Sequence, residues 1–155
     1  MIYIDMDGVL AIWNTEATPE DTQEPGYFLD RDIEQTVKDL IDDMLMLGMP
    51  ISILSAVWNE DAARDKDKWL DMFFDDRLQR IFVPYGENKA DYIVGGKGNI
   101  LIDDHTDNLI SWEKSGNKGI KFLNDINGKS GRWKGASISN KMTPDKMLSE
   151  IAKAL

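Results

Sequence analysis

The segment "IYIDMDG" at residues 2–8 ends a short apolar run on two aspartates, Asp5 and Asp7, with Gly8 directly after them. Carboxylates two apart at the end of a buried strand are expensive to desolvate unless a cation or a substrate engages them. Other stretches repeat the pattern. "ISIL" (51–54) is followed by Ser55, "NILI" (99–102) by Asp103 and Asp104, and Lys89 stands ahead of the latter in "YGENKADYI". Three or four carboxylates, a hydroxyl and a lysine form the donor set of a magnesium-assisted phosphoryl-transfer centre. Magnesium prefers hard oxygen ligands, keeps several waters, and binds one or two carboxylates together with substrate phosphate. Gly8 suits a sharp turn that lets a substrate come close.

To act together, these groups must share one edge of a fold. Apolar runs at 2–5, 51–54, 80–83, 99–102 and 119–123 predict five short buried strands. Apolar positions at helical spacing predict helices over 32–47 and 60–74; a helix over about 106–115 stops at Gly116, and Thr143 with Pro144 starts a final helix through 154. Strands alternating with helices imply an α/β fold with a parallel sheet, whose ligands bind at the carboxyl ends of the strands. Two segments break the rhythm. Residues 11–31 carry two prolines and several acids, and residues 124–142 are rich in glycine, serine and asparagine. Both read as long loops or small excursions, and neither is large enough for a second domain, so residues 1–155 read as one domain.

Composition narrows the function. The net charge is -10, with 28 acidic against 18 basic residues, which argues against a duplex nucleic-acid binder. A small phosphorylated substrate remains compatible, because one divalent cation reverses the local field. No apolar run approaches the roughly 18 residues of a membrane span, so no membrane partner is expected. No basic region precedes the N-terminal apolar stretch, so a signal peptide is not expected either. The absence of cysteine excludes disulfides and thiolate metal sites and fits a cytoplasmic location. A calcium-loop reading of Asp5–Glu16 fails at Leu10, where glycine is needed. "GGKG" at 95–98 lacks the spacing of a P-loop.

"IYIDMDGVL", "ISILS", Lys89 and "ILIDDHTDN", in that order over residues 2–108, resemble the four motifs of the haloacid dehalogenase superfamily. The resemblance implies a Rossmann-like sheet ordered 5-4-1-2-3, with Asp5 as nucleophile and Asp7 as general acid and then base. It implies Ser55 and Lys89 as phosphate-binding groups. It also implies Mg2+ held by Asp5, the Asp7 carbonyl and Asp104, with Asp103 as a further ligand or an orienter of one. Lys97 is a rival to Lys89. Within the superfamily the likeness is to 5'(3')-deoxyribonucleotidases, which carry a much larger cap than the small cap-like insert available at 11–31. The expected substrate is therefore a nucleoside monophosphate or, alternatively, another small phosphomonoester such as a sugar phosphate or a phosphorylated polymer end. A non-catalytic binding protein on the same fold is a third reading. Trp13 and Trp58 lie close to the motifs and are candidate substrate contacts, supported by Tyr27 and Phe28. His105 reads as a partly exposed loop residue beside the acid pair, and Asp107 and Asn108 either orient the site or cap the next helix.

Overall fold

The computed structural model describes residues 1–127 and 131–155. Six strands form one sheet: β1 (Ile2–Ile4), β2 (Ile51–Val57), β3 (Gln79–Pro84), β4 (Ile100–Asp103), β5 (Lys118–Leu123) and β6 (Ala136–Ser139). Their order is β3-β2-β1-β4-β5-β6, and every neighbouring pair is parallel. β1 is central, with Ile4 opposite Ile53 on one side and Ile102 on the other. The strands alternate with helices α1 (Gln35–Met46), α2 (Glu60–Phe74), α3 (Thr106–Lys114) and α4 (Pro144–Ala154). The result is a Rossmann-like α/β arrangement.

The period of two along each strand splits the core between the two faces of the sheet. Ile2, Ile4, Ile53 and Ile102 pack with Val37, Leu40, Ile41 and Met44 of α1, Trp69, Leu70 and Phe74 of α2, and Met147 and Ile151 of α4. Tyr3, Leu54, Val83 and Leu101 face the other way, against Leu109 and Trp112 of α3 and against Trp133. The spacing of Val37, Leu40, Ile41 and Met44 lays one apolar stripe along α1, each residue contributing roughly 1.5–3 kcal/mol by burial. The Asn59 side chain caps α2 by accepting from the Ala62 N–H at 2.8 Å. Thr143 stands at the start of α4 without a capping bond, so Pro144 is the start signal there.

Two expectations are corrected. The sheet has six strands rather than five, because Ala136–Ser139 inside the expected 124–142 loop pairs with β5 and extends the expected order at that edge. With one large apolar residue in four, β6 offers too little periodicity to be read. β2 runs on to Val57, so Ser55 lies inside the strand rather than after it. Lys89 opens a short 3-10 helix, Lys89–Tyr92.

The 11–31 insert leaves and returns at one place. The Ile12 N–H donates to Asp32 O at 2.8 Å, and the Glu34 N–H to Leu10 O at 2.8 Å. Between these ties, short 3-10 turns at Asp21–Gln23 and Tyr27–Asp30 lean on α2. Gly26 N–H donates to Asp65 Oδ2 at 2.5 Å, Trp69 Nε1 to Arg31 O at 2.8 Å, and Asn59 Nδ2 to Gln23 O at 3.3 Å. Among the described residues, no helix is long and apolar enough to cross a membrane.

Candidate active site

The carboxyl ends of β1, β2 and β4 meet at one edge of the sheet and open into a cavity of about 350 Å³. Asp5, Asp7, Lys66, Lys89, Asp104, His105 and Asn108 line its polar side. Trp13, Phe28, Trp58 and Tyr85 form an aromatic wall, joined by Thr22 of the insert and Ile126. Asp5 is placed by the bond from its own N–H to Ile102 O at 2.9 Å, which locks the end of β1 to β4.

Lys89 sits under the carboxylates, its Nζ 2.8 Å from Asp5 Oδ1 and 2.7 Å from Asp103 Oδ2. Burial alone would lower the Lys89 pKa, but Asp103 and Asp5 outweigh it and raise it, so this ammonium stays charged. With Oδ1 occupied, Asp5 Oδ2 has no hydrogen-bond partner among the described residues and is free to react. Burial raises the Asp5 carboxyl to about 7 against the pull of Lys89, with Asp103 and Asp7 adding to the rise. Asp104 is pushed up to about 8, first by burial and then by Asp103 and Asp5, while Asn124 lowers it. Carboxylates crowded in this way resist ionisation, and a cation beside them would favour the charged form.

One oxygen from each of Asp5, Asp103 and Asp104 lies within 4.8 Å of the others, a spacing that suits a small divalent cation. Within that group Asp103 is the most committed. It is fully buried, it takes Lys89 on Oδ2, and it accepts from the His105 N–H at 2.7 Å and from Asn108 Nδ2 at 3.0 Å. Those bonds make Asp103 an organiser of the edge more than an open ligand. Asn108 therefore orients the site, whereas Asp107 pairs with Arg132 on the surface at 2.6 Å. Asp104 is steadied by Asn124, whose Nδ2 reaches Gly8 O at 2.8 Å and Asp104 Oδ2 at 3.2 Å.

Gly8 has a steric reason to be glycine. Its φ is 76°, and a Cβ there would fall 2.3 Å from Asp104 Oδ2. The turn thus needs both the left-handed backbone and the missing methyl.

The Asp7 carboxylate stands apart from the three-acid group, and its Oδ2 is bound by Lys66. Its main-chain carbonyl accepts no hydrogen bond among the described residues and remains available to a cation. Ser55 is fully buried and does not line the cavity; its Oγ accepts from Lys66 Nζ at 3.0 Å. Lys97 is exposed and lies against Gly116, so Lys89 holds the place for which the two were rivals. His105 is exposed at the start of α3 and lines the cavity. Trp13 and Trp58 both line it; Trp58 stacks on Tyr85 at 3.5 Å between ring centroids, with planes 22° apart.

Sequence reasoning missed Lys66, Asn124 and Tyr85. Lys66 left a signal, since it falls four residues from Ala62 and Leu70 and three from Trp69, on the apolar side of α2. A lysine on that stripe needs a buried partner. Compared with models of known protein families and with curated protein sequences, the chain gives no match.

Proposed function

We propose that the protein is a magnesium-dependent phosphomonoester hydrolase of the haloacid dehalogenase type, acting on nucleoside monophosphates. One observation carries the reading: Asp5 holds a partner-free carboxylate oxygen beside Lys89, at the mouth of a cavity it shares with Asp7 and Asp104. Asp5 Oδ2 attacks phosphorus, the bond from phosphorus to the ester oxygen breaks, and Asp7 gives that oxygen a proton. Water then attacks the aspartyl phosphate, Asp7 takes its proton, and inorganic phosphate leaves. Asp5, Asp104 and the Asp7 carbonyl would hold Mg2+, with Asp103 behind them, and the ion supplies neutralisation of phosphoryl charge. Lys89 keeps one Asp5 oxygen fixed and offsets charge as it develops.

The aromatic wall of Trp13, Phe28, Trp58 and Tyr85 favours a substrate with a flat base over a bare sugar phosphate. Stacking of this kind is worth about 1–3 kcal/mol per base in single-strand binders. The test is a phosphatase assay with Mg2+ over nucleoside monophosphates and sugar phosphates. Asp5→Asn keeps the side-chain size and removes the nucleophile, so kcat should fall at least roughly a thousandfold. Near-normal turnover by this variant would rule out covalent catalysis at Asp5, and equal efficiency on both substrate classes would remove the nucleotide assignment.

A further inference from the structure

Lys66 is the buried cation that the reaction above leaves unused. It sits in the middle of α2 with 1% of its surface exposed, and its Nζ makes three bonds. One goes to Asp7 Oδ2, one to Ser55 Oγ at 3.0 Å, and one to the Ala56 carbonyl at 2.7 Å. The remaining side of the ammonium faces the Phe28 ring, 4.4 Å from its centroid. An ammonium has three donors, so Lys66 has none left for a substrate. It is saturated by the groups around it.

Ser55 serves as an anchor for this ammonium. A hydroxyl in a strand ordinarily spends its proton on a nearby carbonyl, as Ser52 does by donating to Gln79 O and Ile53 O, both at 3.1 Å. Ser55 Oγ instead accepts from Lys66, and among the described residues it donates to nothing. Its one proton is uncommitted. Lys66 likewise takes one oxygen of Asp7, a residue that lines the cavity, and leaves the other without a hydrogen-bond partner among the described residues.

We infer that Lys66 is a positioning residue, which is anchored on Ser55 Oγ and the Ala56 carbonyl and holds Asp7 with its second carboxylate oxygen free for proton transfer, without spending a donor on the substrate. The inference rests on the phosphatase reading above. It makes Lys66 a different device from Lys89: Lys89 fixes the nucleophile, and Lys66 fixes the proton carrier. Phe28 shields the ammonium from water on the insert side, which keeps these bonds strong.

Steady-state kinetics on a nucleoside monophosphate with Mg2+, together with calorimetric binding of inorganic phosphate, test the assignment. Lys66→Met should lower kcat about a hundredfold while KM and the phosphate Kd stay within about threefold, the signature of lost aim rather than lost binding. In an Asp7→Asn background, the same change should lower kcat by less than about threefold more, because one target of the lysine is already gone. A tenfold or greater loss of phosphate affinity at unchanged kcat would make Lys66 a direct ligand and overturn the inference. Equal kcat losses in both backgrounds would do the same by showing a packing role. Lys66→Gln is the second variant; if neither it nor Lys66→Met gives a folding transition on heating, the residue is structural and the inference falls. Wild-type protein that hydrolyses no phosphomonoester overturns the phosphatase reading and takes this inference with it, whereas active wild type with an undamaged Lys66→Met overturns this inference alone.

Discussion

Asp104 and Gly8 form a pair in which neither residue is replaceable alone. The carboxylate occupies the space a Cβ would need, and Asn124 bridges the two by bonding to both. Gly8→Ala adds strain from a left-handed φ, about 1–2 kcal/mol, and pushes Asp104 out of place. For a chain of this size the melting temperature should drop by roughly 2–8 °C, and the Mg2+ concentration giving half-maximal activity should rise. A thermal melt and a magnesium titration check the two effects separately; a variant unchanged in both would mean that Asp104 has room to move. The same residues mark what one sequence makes readable. Asp5, Asp7, Lys89 and Asp104 were legible because strand-end carboxylates and their lysine are set by spacing along the chain. Asn124 and Tyr85 act through loops whose direction only the folded sheet decides.

At the scale of elements, α2 holds the insert in place. Asp65 accepts from Gly26 N–H, Lys66 faces Phe28, and Trp69 donates to Arg31 O. The small cap is therefore docked as a fixed wall, and Trp13, Thr22 and Phe28 reach the cavity from a single stretch of chain. Asp65 is buried and makes a charge-assisted bond, so Asp65→Ala should cost about 1.5–3 kcal/mol and open the insert to limited proteolysis. Cleavage within 11–31 appearing in the variant before any other cut is the expected result; an unchanged digestion pattern would mean that the remaining ties suffice. Five strands and the first two helices were readable from apolar patterning and the last two helices from their stop and start signals, and the boundaries of α2 agree with the reading to the residue. β6 was not, since its order comes from pairing with β5 and from Trp133, whose Nε1 donates to Ala136 O at 2.8 Å. Ser55 was recognised by type and misplaced by context, because β2 continues two residues beyond it.

For the molecule as a whole, the acidic edge couples stability to pH. Asp5 and Asp104 are raised to about 7 and about 8, from roughly 3.9 in an unfolded chain. Between about pH 4 and 8 the native state therefore binds more protons than the unfolded state, and the stability these groups supply is lost as pH rises through that window. Metal-free protein should melt at progressively lower temperature from pH 5 to 8.5. Mg2+ should restore the loss at pH 8 and do little at pH 5, where protons hold the same oxygens. Melting curves in chelator and in magnesium at both pH values check this, and an equal magnesium effect at both would contradict it.

The central place of β1 also sets a timetable for synthesis. Ile2 pairs with Ile51 and with Ile100, so β1 is made before both partners and has to wait for residues far along the chain. At roughly 5–20 residues per second, the ribosome leaves this apolar strand without its β4 neighbour for about 5–20 s. Through that interval the carboxylates of Asp5 and Asp7 sit beside it as charges that discourage association with other unfinished chains. The acids that crowd the finished site protect the nascent strand before there is a site at all.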